Sequence, residues 1–336
     1  MSEAEFSSEF EYSAAFLRIL IPGIIFTTLI SILILFYYSN YFPVSKVSIE
    51  ESVWTLLPVS IIFIVISMFV GLFINVLITP LTRVLEGYYL EQNKKDEIIG
   101  IFWNMFHLRQ WEQFVNYRDE YNSAEMNSIE RGTAYTNIYN FFSYCLSKMT
   151  SNPKIDDCEL KKGILPTKFG NVFRSIEIYP EWKYGMNGIF YWTRIQMLMS
   201  EDNKKTVDKM YAFVDMFVEL TWIFLFTAVI YLIVLAKNGN YIYSVIFLII
   251  FLILSLLSYN LAVQSALKFG LYVRSIFDLY RHELWTILKM GIFNKLKTLP
   301  ENERWKDVFR YLWFYNVNQC KKCGKFYEIP IEHKCK

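Results

Sequence analysis

The sequence predicts an all-α integral membrane protein: four transmembrane helices, a helical cytoplasmic domain and a small C-terminal zinc knuckle. Three observations predict it. Four stretches are long, apolar and uncharged in their centres; the region between the second and third spaces its apolar residues helically; and three of the five cysteines, with one of the three histidines, fall in the last seventeen residues. With 54% hydrophobic residues and a mean hydropathy of +0.24, the composition excludes an ordinary soluble domain.

Residues 1–18 form an acidic N-terminus, in which "MSEAEFSSEFEYS" carries four glutamates and no Lys or Arg. A secretory leader needs a basic start and a small-residue cleavage site, whereas the first apolar run is followed closely by Tyr37, Tyr38, Tyr41 and Phe42. The run is therefore an anchor. Residues 19–38, 53–79, 211–236 and 241–266 each approach the roughly 20 apolar residues a bilayer crossing requires, and only a helix satisfies its own backbone in lipid. Apolar core helices of soluble proteins rarely stay uncharged on every face over such lengths.

Orientation follows from the retention of Lys and Arg on the cytoplasmic side. The outer loops, 39–52 and 237–240, offer only Lys46 and Lys237, whereas Arg83, Lys94, Lys95, Lys204, Lys205 and Lys209 flank the middle region and Lys268, Arg274 and Arg281 follow the last span. Residues 80–210 and the segment after 266 are therefore expected in the cytoplasm, with both termini there, in a multipass protein of the plasma membrane. All five cysteines then lie in the reducing compartment, so metal binding is favoured over a disulfide framework.

The middle region reads as helices broken by loops, with "SNPKIDDCELKKGILPTKFGN" the clearest break. Further cytoplasmic helices are expected over 267–313. Within "GNVFRSIEIYPEWKYG", Gly170 and Pro180 bracket a short helix on which Arg174 and Glu177, three apart, can pair. Tyr179, Trp182 and Tyr184 supply rings suited to a headgroup boundary. With Asn171, Trp192 and Arg194 these residues form a juxtamembrane motif, a brace in one reading and a ligand site in the other.

Charges at the inner ends of the spans give a sharper signal. Arg18 precedes the first span, while Asp215 and Glu219 lie four apart on one helix face entering the third. Both helices run outward, so the three charges share a depth where unpaired charge is expensive. They form either an arginine clamp on two carboxylates or a cation-binding vestibule. Thr55, Ser60, Ser67 and Asn75 on the second span, and Ser255, Ser258, Asn260 and Gln264 on the fourth, either line such a path or bond between helices.

The tail, residues 314–336, ends in "QCKKCGKFYEIPIEHKCK". Cys320 and Cys323 form a C-x-x-C followed by Gly324, and His333 with Cys335 complete a Cys₃His set for zinc. Four protein ligands leave no open position, which makes the zinc structural. A redox C-x-x-C is the weaker reading, since no thioredoxin-like pattern surrounds it. Lys321, Lys322, Lys325, Lys334 and Lys336 make the knuckle basic, either as a solvated face or as a surface for a cytoplasmic protein, nucleic acid or anionic headgroups.

Four landmarks, "LRILIPG", "GNVFRSIEIYPEWKYGMNGIFYWTR", "FDLYRHEL" and "LPENERW", resemble in content and order those of a family of uncharacterised prokaryotic four-span membrane proteins. They extend from Leu17 to Trp305. The resemblance implies the fold and no activity.

The sequence contains no phosphate-cradling glycine loop, G-x-S-x-G elbow or H-E-x-x-H helix, and its net charge of +2 identifies no partner. The expected function is a membrane-embedded sensor or scaffold whose helical body and zinc-stapled tail engage a cytoplasmic partner. An oligomeric ion channel or gated pore with an acidic inner vestibule comes second, and a lipid-modifying enzyme third. A homo-oligomer in the lipid bilayer is expected.

Overall fold

The computed structural model describes residues 16–38, 49–89, 97–125, 128–152, 154–288, 296–313, 317–319 and 326–328. A π-helical turn, Phe16–Leu20, leads into α1 (Ile21–Tyr38), followed by α2 (Ile49–Glu86), α3 (Glu97–Ser123), α4 (Ile129–Phe141), α5 (Ser143–Ser151) and α6 (Asp157–Lys161). Then come α7 (Lys168–Tyr184), α8 (Gly188–Leu198), α9 (Glu201–Lys237), α10 (Tyr241–Leu288), α11 (Glu301–Trp313) and two short strands, β1 (Val317–Gln319) and β2 (Phe326–Glu328). The described residues are thus almost entirely helical, and α1, α2, α9 and α10 are each long and apolar enough to cross a membrane. The chain divides into two units, residues 1–85 with 208–266 and residues 86–207 with 267–336.

In the first unit α1 and α2 cross closely. A Cβ added at Gly23 would run into the Ser67 carbonyl, and one at Gly71 into that of Ile19. Small residues permit this approach, which matters in lipid because no hydrophobic force drives apolar helices together there. Interhelical hydrogen bonds add to it: Tyr231 Oη donates to the Leu29 carbonyl at 2.7 Å and Ser255 Oγ to that of Thr221 at 2.9 Å. Ser67 Oγ instead bonds within its own helix, to the Phe63 carbonyl. Leu33, Ala228, Tyr231, Leu235 and Phe251 form the packed centre, while Leu35, Phe69, Phe73 and Val76 face outward.

Two helices outrun their apolar stretches. Apolar patterning ends the second span at Thr79 and opens the helical domain at Pro80, but α2 passes through Pro80 to Glu86. Proline removes one N–H from the ladder without obliging the helix to stop, and Arg83 in the last turn suits the negative helix end. Likewise α9 starts at Glu201, ten residues before the third apolar run, with Glu201 and Asp202 in its first turn where negative charge is favourable.

The second unit packs around Phe114, Ile138, Phe142, Cys145, Leu160 and Ile164. Side-chain caps set its helix starts: Ser128 accepts from the Arg131 N–H, Thr167 from that of Gly170 and Asn187 from that of Phe190. His107 is a core histidine, 2% exposed, with Nε2 3.0 Å from the Lys161 carbonyl oxygen and its ring stacked on Trp103. Burial pushes the Cys145 thiol up to about 12, which makes it inert, while Cys158 is exposed. The short helix expected between Gly170 and Pro180 is longer: α7 runs through Pro180 and ends at Gly185, whose φ of 76° gives the left-handed cap. The strands pair antiparallel, with Val317 opposite Glu328 and Gln319 opposite Phe326.

Candidate functional site

The three charges at the starts of α1 and the third apolar run meet in the first unit. Arg18 Nε lies 3.1 Å from Asp215 Oδ2, and Nη2 donates to the Asp208 carbonyl at 3.4 Å. The guanidinium also sits 5.3 Å from the centre of the Tyr211 ring. Helical periodicity places Glu219 one turn beyond Asp215, and both Asp215 and Arg18 act on it electrostatically. Glu219 is fully buried, and neither of its carboxylate oxygens has a hydrogen-bond partner among the described residues. One guanidinium thus serves two carboxylates and pairs with only the first. Farther along α9, Trp222 Nε1 and Thr227 Oγ1 are buried without partners as well. Uncompensated polar atoms therefore run along the apolar part of this helix.

In the second unit the motif residues divide by role. Gly170 is where α7 meets the end of α2: a Cβ there would run into the Glu86 carbonyl, to which Thr167 Oγ1 donates at 3.0 Å. Asn171, 2% exposed, staples a turn, donating to the Leu165 carbonyl and accepting from the Leu165 N–H at 2.7 Å. Arg174 spreads over the Tyr144 ring, and Arg194 over the Phe190 ring at 3.6 Å. These contacts are structural. Glu177 differs, since it accepts a 3.2 Å hydrogen bond from Tyr88 and faces a cavity. Burial pushes its carboxyl above the ordinary range, against the Tyr88 bond and the charge of Arg174.

Tyr179 and Tyr184 converge on an acid of α10. Asp278 accepts from Tyr179 Oη at 2.7 Å and Tyr184 Oη at 2.6 Å, with Lys183 Nζ at 3.3 Å. Burial opposes the charge of Asp278, but the two phenols and the ammonium outweigh it and hold the carboxyl below its usual value. Arg281 lies over the Tyr184 ring and pairs with Glu301 at 3.2 Å, while Arg274 lies over the Tyr139 ring. Every member has a partner, so the network is a clamp fixing α7 to the later part of α10 rather than an open site.

The cavity beside it is different in kind. It is an open-sided groove of about 200 Å³, lined by Phe173, Ile176 and Glu177 of α7, Trp192 of α8, and Phe269 and Phe277 of α10. Trp192 and Phe277 have ring centres 5.9 Å apart, and Phe173 and Phe269 6.4 Å apart. Glu177 is the one charged residue among the described residues that line it.

Sequence reading missed Tyr88, Lys183, Arg274 and Asp278, together with the cavity lining outside the motif. Asp278 and Arg281 do stand inside the landmark "FDLYRHEL", which was the available signal. Cys320, Cys323, His333 and Cys335, with Lys321, Lys322, Lys325, Lys334 and Lys336, lie outside the described residues. Among the described residues no group of three or more His, Cys, Asp or Glu side chains is placed to hold a metal. No protein-family model, curated protein or solved structure matches this chain.

Proposed function

We propose that the protein is a membrane-embedded sensor or scaffold, with its helical body and basic tail on the cytoplasmic side engaging a cytoplasmic partner. The cavity carries this reading. An aromatic groove with a single acidic group among its described lining residues, beside the hydrogen-bonded clamp on Asp278, has the composition of a ligand site rather than of a packed core. At about 200 Å³ it is smaller than the roughly 300–1,000 Å³ of a drug-sized site, so it receives a small molecule or one group of a larger one. Three of its walls, Phe269, Val273 and Phe277, lie on the helix that begins with the fourth apolar run, so occupancy has a direct mechanical route into that helix.

Native mass spectrometry of the full chain released from membranes tests the reading. A small-molecule adduct is expected in the wild type and lost in Ile176→Trp, which fills the chamber. An adduct-free wild type, or an adduct kept in a folded Ile176→Trp, overturns it.

The tail belongs to the same proposal, as a zinc-stapled module held by Cys320, Cys323, His333 and Cys335. The spacing supports it: the C-x-x-C of Cys320 and Cys323, with His333 and Cys335, sets four zinc-ligating residue types within sixteen positions. About one zinc per chain is expected, because four ligands close one coordination sphere. Less than about a tenth of an equivalent in chelator-free protein, or unchanged zinc in Cys320→Ser plus Cys323→Ser, removes the module.

A second reading, an oligomeric pore with an acidic vestibule, is favoured by the buried and unpartnered Glu219 alone. A ring of protomers by mass measurement in detergent would raise it above the sensor, and a monomer would lower it.

A further inference from the structure

We propose that the cavity binds an alkylammonium group, with Glu177 as its counter-charge and the rings of Phe173, Trp192, Phe269 and Phe277 as its walls. This rests on the sensor reading and names the chemistry of the ligand. The argument begins with charge. Glu177 is the one charged residue of the wall, and one of its oxygens is already engaged by Tyr88. Arg174, the nearby cation, lies over the Tyr144 ring and borders a separate small cavity on another side of α7. Among the described residues the lining therefore presents a carboxylate and no cation, with the charge of Arg174 reaching Glu177 from outside the groove.

The rings supply the second part. Aromatic faces attract cations through their quadrupoles, most strongly where water is excluded, and tryptophan is the strongest of them. Phe269 and Phe277 are 8% and 2% exposed while Ile189 is 71% exposed, so the groove is sheltered at its floor and open at its mouth. An ammonium bearing alkyl groups matches both features: its charge answers Glu177, and its methyl surface fits the rings better than water does. A metal ion would find one carboxylate in a mostly apolar lining, short of the several oxygen ligands it requires. A neutral apolar molecule would gain nothing from the carboxylate beyond the partners it already has.

The same group arrives either free or as a phospholipid headgroup. The full chain is reconstituted in nanodiscs of phosphatidylglycerol alone and titrated with choline by calorimetry. Saturable binding is expected, weakened at least about tenfold in Glu177→Gln and in Trp192→Leu, and weakened similarly for 3,3-dimethylbutanol, the neutral isostere of choline. A lipid source is recognised if nanodiscs containing phosphatidylcholine suppress choline binding in the wild type. It is also recognised if free choline fails to bind but a phosphatidylcholine carrying a photoreactive headgroup labels peptides with Ile189 or Trp192, and Glu177→Gln abolishes the labelling. Equal binding of choline and its isostere, or an unchanged Glu177→Gln, overturns the ammonium assignment while leaving the sensor reading intact. No binding by either arm, with an adduct still lost in Ile176→Trp, does the same.

Discussion

Arg18→Ala is expected to destabilise the protein by about 3–5 kcal/mol, the usual cost of stranding one partner of a buried ion pair. Asp215 is 6% exposed and Glu219 fully buried, and among the described residues the guanidinium 3.1 Å from Asp215 is the one cation found beside them. Without it, two carboxylates a helical turn apart would share a site with no counter-charge. The remaining apolar runs cannot supply one, since residues 19–38, 53–82 and 241–266 contain no Asp, Glu, Lys or Arg. Adding Asp215→Asn and Glu219→Gln to Arg18→Ala should recover much of the loss, because the penalty lies in the stranded charge and not in the missing contact. Denaturation of the purified variants in one detergent measures both effects. If the triple variant loses as much as its single changes summed, the three residues do not act as a unit.

The spans were legible because lipid imposes a rule that sequence alone can express: about twenty residues, no central charge and a helix throughout. Helix ends were less so. Polar residues on either side of an apolar run carry no membrane signal, yet the backbone of α2 and α9 stays helical through them. A depth argument could set Arg18 beside Asp215, since each stands near the N-terminal end of its apolar run and the two runs are expected to point the same way. No comparable argument links Tyr179 and Tyr184 to Asp278, which are 99 and 94 residues away. The cavity was illegible for the same reason. Phe173, Trp192 and Phe277 each look like core residues in their own segments, and the space between them exists only after three helices pack.

Trp305→Ala should be the most damaging change in the second unit, costing about 3–5 kcal/mol for a fully buried large aromatic side chain. Trp305 is 2% exposed, with ring centres 5.2 Å from Tyr191 and 5.8 Å from Trp285. Its carbonyl oxygen accepts a 2.8 Å hydrogen bond from Tyr191 Oη, so α11 is held both by packing and by a directed bond. Arg281 and Glu301 add an ion pair one turn before the tryptophan. Tyr191→Phe keeps the ring contact and loses only the hydrogen bond, for which about 1 kcal/mol is expected. The two variants therefore separate packing from bonding.

The consequence reaches the tail, because α11 is the last helix before the strand pair and the cysteine set. Loosening α11 should release the C-terminal segment to trypsin at its many lysines well before the rest of the second unit opens, since local opening tracks local stability. Limited proteolysis of Trp305→Ala is expected to show faster loss of the C-terminal fragment than in the wild type, with cleavage of the spans unchanged. Equal rates in the two proteins would mean that the tail is secured elsewhere. The proposed sensor would then reduce to a scaffold, with the groove and the tail acting independently.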